Sequence, residues 1–233
     1  MATKQSTSKK KMNKQSILNT YMDLVLEDQT PKSVHAFCKL LKIEEPTFYS
    51  YFSSLEMIKH SVWETFFDHV TAILSKDDNY ANYPNREKLL AFFYTFFELL
   101  TANRSYVLLQ FESDTQSLNN VLGNKIQNLK QLKGLRIQIL DFATQLREEQ
   151  QNSEEVSKVK EKFIEKTRKY FSESVWLQFL FLLKFWKEDT SANFEKTDVA
   201  IEKSVQTLFD VIDQSPLERI FDFGKFLWNE RKF

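Results

Sequence analysis

The sequence predicts an all-α protein, and three observations predict it. Only three glycines, Gly123, Gly134 and Gly224, occur in 233 residues, too few for a chain built on tight β turns. No stretch alternates apolar and polar residues long enough to form a half-buried strand. Apolar residues recur instead three and four apart, which is the spacing of one face of a helix.

Composition bounds the rest. The 32 basic and 32 acidic residues cancel, and 42% of the chain is hydrophobic, with 22 phenylalanines. Such a chain can build one large or two small globular cores, which excludes disorder for most of its length. No apolar run reaches the ~18 residues of a membrane span, and the first residues lack the apolar stretch of a secretory signal. A soluble, cytoplasmic protein without a membrane span is expected. Cys38 is the one cysteine, so no internal disulfide can form; it falls on an inward-facing stripe and reads as a buried structural thiol.

Taken in order, residues 1–13 carry Lys4, Lys9, Lys10 and Lys11 without an acid and read as a disordered basic tail. Such a tail serves either as an arm along a nucleic-acid backbone or as a solubilising terminus. A first helix over 14–27 would turn Ile17, Tyr21, Leu24 and Val25 inward. A second opens at Pro31 with Thr30 as its cap and buries Val34, Phe37, Cys38 and Leu41. After a break at Lys42 and Ile43, a third spans 45–51, with Phe48 and Phe52 four apart. Two short amphipathic helices around a brief turn have the form of a helix-turn-helix, although many helical hairpins share it.

Ser53 and Glu56 form a capping box for a fourth helix, which runs through Met57, Ile58, Val62, Phe66, Val70 and Ile73 and ends in the polar stretch 76–82. Pro84 opens a fifth, with Leu89, Leu90, Phe93, Phe96, Phe97 and Leu100 on one stripe and Phe92 and Leu99 outside it. A helix apolar nearly all round has protein or ligand on more than one side. A short helix over 103–111 follows, then a long one over 117–149 with Gly134 as a kink. The most apolar stretch, 175–186, is too short to span a bilayer and reads as a buried helix or a subunit interface. Two last helices, 196–212 and 217–231, are joined by Asp213-Gln214-Ser215-Pro216.

Val34, Phe37, Cys38, Leu41, Ile43, Thr47, Phe48, Tyr49, Tyr51, Phe52 and Glu56 fall where the TetR family of transcriptional regulators has its pattern. The first 60 or so residues resemble that family's DNA-binding domain; the C-terminal half resembles it in architecture only. Three departures stand out: Lys42 where the family usually has glycine, Glu44-Glu45-Pro46 where a Ser cap and a small or basic residue usually open the recognition helix, and Leu55 where a phosphate-binding lysine is common. The resemblance implies a TetR-like fold, with a helix-turn-helix domain over 14–58 and a helical ligand-binding and dimerisation domain over 59–233.

It further implies a homodimer on double-stranded operator DNA, acting as a repressor released by a lipophilic small molecule. Lys32, Ser33, Tyr49 and Tyr51 are the expected phosphate contacts, and Glu45, Pro46, Thr47 and Ser50 the base-reading positions. The bland alternatives are tyrosines that only pack the third helix and glutamates that are solvated helix-start acids. Phe92, Phe93, Phe96, Phe111, Trp176, Phe179 and Trp186 could line a ligand cavity, or could be plain core. The acidic start of the third helix keeps a second function open: a TetR-shaped protein that has given up DNA and binds lipid or isoprenoid-quinone-like molecules. His35, His60 and His69 show no metal-type spacing, and no nucleophile elbow, phosphate loop or dinucleotide fingerprint occurs, so neither an enzyme nor a cofactor or metal site is expected.

Overall fold

The computed structural model describes residues 12–112, 130–148 and 158–213. Every regular element among them is helical: α1 (Lys14–Leu26), α2 (Val34–Leu41), α3 (Glu45–Tyr49), α4 (Leu55–Leu74), α5 (Asn85–Ala102), α6 (Arg104–Glu112), α7 (Lys133–Glu148), α8 (Lys158–Glu188) and α9 (Glu195–Asp213), with short 3-10 turns at Tyr80–Asn82, Lys130–Leu132 and Ala192–Phe194. They form two compact units, residues 12–72 with 98–112 and 130–139, and residues 73–97 with 140–148 and 158–213.

The first unit is organised by a file of rings. Tyr21 of α1 meets Phe37 of α2 edge-on at 5.9 Å, Phe37 meets Phe48 of α3 at 6.1 Å, and Phe48 meets Phe52 at 5.8 Å. All four are essentially buried, as are Ile17, Leu18 and Cys38 beside them in the sequence pattern. Edge-to-face pairs suit the ring quadrupole and fix the angle between helices as well as their distance. Three helices too short to be stable alone are thereby held in one arrangement.

Local chemistry sets their ends. Asn13 accepts the Ser16 N–H at 2.8 Å and starts α1. Helix α2 begins at Val34 rather than Pro31, because Ser33 is extended and its Oγ accepts the Ala36 N–H at 3.1 Å. Thr30 is therefore not the cap, and Pro31 lies buried ahead of the helix. Both α1 and α2 end in Schellman motifs without glycine. Asp28 (φ 56°) and Lys42 (φ 55°) are left-handed, and the next N–H reaches back five residues, Gln29 to Leu24 at 2.8 Å and Ile43 to Cys38 at 3.1 Å. Helix α3 stops at Tyr49, two residues earlier than expected. At α4 the first-turn cap is Ser54, whose Oγ accepts the Met57 N–H at 3.3 Å, not Ser53.

The inward residues of α4 are Ile58, Val62, Trp63, Phe66, Val70 and Leu74. Met57 and Ile73, expected on this stripe, are exposed. Trp63 packs on Phe66 at 5.8 Å and on Phe111 of α6 at 5.6 Å. The part of the expected 117–149 helix over 117–129 and the expected last helix over 217–231 lie outside the described residues, as does the tail up to residue 11. Within them, Gly134 is the second residue of α7, directly after a 3-10 turn, so it is not a mid-helix kink.

In the second unit, Phe92, Phe93, Phe96 and Phe97 of α5 are all buried, including Phe92, which periodicity placed outside the stripe. Phe92 stacks on Phe142 of α7 at 4.5 Å, and Phe96 meets Phe179 of α8 edge-on at 5.2 Å. Helix α8 takes up the apolar stretch 175–186 and buries one side of it, while Leu177 and Phe181 stay about half exposed. Arg86 pairs with Asp210 of α9 at 2.7 Å and lies over the Phe209 ring. Asp189, just past α8, accepts from the N–H and hydroxyl of Ser191 and from those of Thr197, at 2.6 to 2.9 Å.

Candidate nucleic-acid interface

The surface outside the ring file of the first unit is formed by the start of α2 and one face of α3. Lys32 is exposed, and Ser33 next to it already spends its hydroxyl on the first turn of α2. Pro46, Thr47, Tyr49 and Ser50 are exposed on α3, held outward because Phe48 between them is wholly buried. Ser50 Oγ donates to the Thr47 carbonyl at 2.7 Å, which leaves the hydroxyl oxygen able to accept.

The two tyrosines differ in what their hydroxyls do. Tyr49 is 51% exposed with its ring edge-on to Phe48 at 5.6 Å, and no hydrogen bond ties its hydroxyl to a described residue. The Tyr51 hydroxyl donates to the Met12 carbonyl at 3.3 Å, so its one proton is committed to the segment entering α1. Glu44 is the N-cap residue of α3 and makes no side-chain cap. Glu45 accepts from His35 Nδ1 of α2 at 2.9 Å, an exposed pair that joins the two helices of the motif and occupies one carboxylate oxygen.

Charge is modest here. From residue 30 to residue 50 there are three lysines, Lys32, Lys39 and Lys42, against Glu44 and Glu45, a net of +1. Burial, followed by the charges of Glu45 and Glu44, pushes the Cys38 thiol up, which keeps it a protonated core atom and not a nucleophile. Among the described residues no group of three His, Cys, Asp or Glu side chains is placed to hold a metal ion.

The seven aromatic residues expected around a ligand are all buried. Six lie in the second unit, where Trp176 stacks on Phe179 at 5.6 Å and Phe97 meets Trp186 at 6.5 Å. Phe111 belongs to the first unit, against Trp63. None of the seven lines the open apolar groove that runs between α8 and α9 in the second unit. Its surface comes from Leu177, Phe181 and Phe185 on one helix and Val199, Leu208 and Val211 on the other. Sequence reasoning gave 175–186 as buried helix or subunit interface without separating the two faces; the structure marks the outer one by Leu177 and Phe181, four apart and half exposed.

The model of the tetracyclin repressor-like C-terminal domain matches residues 88–227, more than half of the chain. The chain belongs to the TetR family of transcriptional regulators. A solved structure assigned as a TetR-family transcriptional regulator, from Syntrophomonas wolfei str. Goettingen, superposes on this TetR-family chain with a TM-score of 0.56 at 18% identity, over 84% of this chain and 93% of that one. That likeness is one of fold. No curated protein matches the chain. The family match lies in the half where the sequence had shown an architectural likeness only, so the TetR signal extends well beyond the helix-turn-helix.

Proposed function

We propose that this TetR-family protein is a homodimeric operator-binding repressor released by a lipophilic ligand. The observation that carries the reading is the outward face of α3: Pro46, Thr47, Tyr49 and Ser50 are exposed together while Phe48 anchors the helix to a rigid aromatic core. A short helix presented this way enters a major groove, with its hydroxyls and methyl available to phosphates and base edges. In this reading Tyr49 and Lys32 hold phosphates, Ser33 supports them from the first turn of α2, Tyr51 positions the chain before α1, and Thr47 and Ser50 face bases beside Pro46. Glu45, shared with His35, accepts from a cytosine amine.

Dimerisation is assigned to the groove between α8 and α9, where exposed Leu177, Phe181, Val199 and Val211 form an apolar face rimmed by Glu195, Lys196 and Lys203. Both signs of charge on one rim suit a two-fold contact, in which each patch meets its own copy. The ligand is assigned to the Phe-rich interior of the second unit, with Phe92, Phe93, Phe96, Trp176, Phe179 and Trp186 as its apolar lining; Phe111, in the first unit, is left out of that lining. Release follows when the ligand binds the DNA-incompetent conformer better than the competent one.

Fluorescence anisotropy with the DNA upstream of the protein's own gene and a scrambled duplex, at low and moderate salt, tests the reading. Preference for the native duplex that persists as salt rises supports a regulator. Equal binding lost with salt rejects it and favours the second reading, a TetR-fold lipid binder, for which the acidic Glu44 and the small net charge of the motif speak. Extraction of the purified protein and mass spectrometry of bound lipid then decides that reading.

A further inference from the structure

We propose that His35 is a proton-dependent DNA contact: its pairing with Glu45 leaves the second ring nitrogen open to a phosphate, and docking on DNA draws a proton onto that nitrogen. The inference rests on the DNA-binding reading above and says how a recognition helix that opens on acids tolerates a polyanion. The His35 side chain is 81% exposed and that of Glu45 40%, with Nδ1 and Oε1 2.9 Å apart. The ring follows exposed Ser33 by two residues, and exposed Pro46 and Thr47 directly follow Glu45. The pair therefore lies within the surface assigned to DNA, between its phosphate-holding and base-facing residues.

A carboxylate only accepts, so the shared proton sits on Nδ1, and a neutral ring then carries a bare lone pair on Nε2. No hydrogen bond ties Nε2 to a described residue. A lone pair repels a phosphate oxygen, whereas an imidazolium donates to it. Imidazole is the side chain whose charge changes in the neutral pH range, so one proton taken from the buffer converts the first state into the second. In the complex, phosphates on one side and Glu45 on the other favour the charged ring. The other charged groups between residues 30 and 50 are Glu44, which also favours it, and Lys32, Lys39 and Lys42, which oppose it. With the ring charged, this stretch carries a net of +2 in place of +1. An exposed pair adds little to folding, so its consequence is felt where DNA docks.

Affinity for operator should fall on the order of tenfold at fixed salt as pH rises from about 6 to about 8. The pI of the chain is about 6.9, so its overall charge changes sign over the same range, and variants are needed to isolate the ring. His35→Gln keeps a donor for Glu45 without a titrating charge, and is expected to bind at both ends of the range as the parent does at the upper end. His35→Lys keeps a permanent charge, and is expected to bind at both ends as the parent does at the lower end. A pair that only holds α2 to α3 would leave the pH profile alike in parent and His35→Gln. Nitrogen NMR of protein labelled in its histidine rings, assigned with His35→Gln, reads the proton itself. The neutral ring should carry it on Nδ1, and adding operator at constant pH should shift the ring toward the doubly protonated form. Operator preference without a pH dependence, the same dependence in His35→Gln, or a ring whose protonation operator does not move overturns the proposal and leaves the DNA-binding reading standing. A parent that prefers neither the native nor the scrambled duplex at either pH overturns that reading, and this proposal with it.

Discussion

At the scale of single residues, Lys42 holds a backbone conformation that its Cβ opposes. The left-handed state at φ 55° and ψ 42° costs an L-residue roughly 1 kcal/mol, and the Schellman bonds of α2 keep it there. Lys42→Gly should therefore raise stability by about 0.5–1 kcal/mol, read as a higher urea midpoint with an unchanged slope. A midpoint that falls would mean that the lost chain entropy of glycine outweighs the relieved strain. Asp189 is held in the opposite way. Burial opposes its charge, but four hydrogen bonds from Ser191 and Thr197 outweigh that and lower its pKa to about 2. Because the folded value lies below that of an unfolded aspartate, its contribution, on the order of 2 kcal/mol, is fully present above pH ~4 and is lost as pH falls from there through about 2. Asp189→Asn should flatten that part of the acid-unfolding curve, and chemical denaturation between pH 2 and 5 checks it. Neither residue announces this in sequence: Lys42 occupies a turn where glycine was expected, and the partners of Asp189 are found only once the chain has folded back on itself.

At the scale of elements, periodicity placed α1, α4 and α5 well because each is long and buries a regular stripe. It failed at ends and at second faces. The Thr30-Pro31 pair obeys the rules for a helix start, yet Ser33 supplies the hydroxyl that meets an amide, and the helix begins there. Phe92 and Trp63 fall off their stripes and are nonetheless buried, because α5 and α4 have neighbours on more than one side. The outward residues of α3 were legible as a set, since a buried Phe48 forces its neighbours out, whereas the use of the Tyr51 hydroxyl by Met12 depends on a contact 39 positions away in the chain. If Tyr49 meets a phosphate, Tyr49→Phe keeps the ring on Phe48 and removes only the hydroxyl. It should weaken binding on the order of tenfold, alike on native and scrambled DNA, and leave the salt slope unchanged because no charge is lost. Lys32→Ala should instead lower that slope by about 0.9. Anisotropy at several salt concentrations measures both, and a Tyr49→Phe protein that binds as the parent does removes Tyr49 from the contact set.

At the scale of the whole molecule, the family could be read from the helix-turn-helix string, but the match over residues 88–227 shows that the larger helical part carries the family's character as well. What the sequence could not give was which apolar residues stay outside. Within 175–186 the same apolar residue types serve two purposes, and only burial separates Trp176, Phe179 and Leu183 from Leu177 and Phe181. If the α8–α9 groove is the dimer contact, Phe181→Asp places a charge in it and should convert a dimer to monomer, read by light scattering on a sizing column, with operator affinity falling together with the dimer fraction. A variant that remains dimeric moves the interface elsewhere.

Cys38 adds a consequence of a different kind. It is the one thiol of the chain, 3% exposed, and it sits in the aromatic interior between the first three helices. Its reaction with a thiol reagent must wait for that interior to open, so the labelling rate of the unmodified protein is a clock for local opening of the reading head. Operator DNA that binds only the closed form should slow the clock by the factor 1 + [DNA]/Kd. The affinity of the protein for its site is then written in the lifetime of a single sulfur atom, with no probe attached.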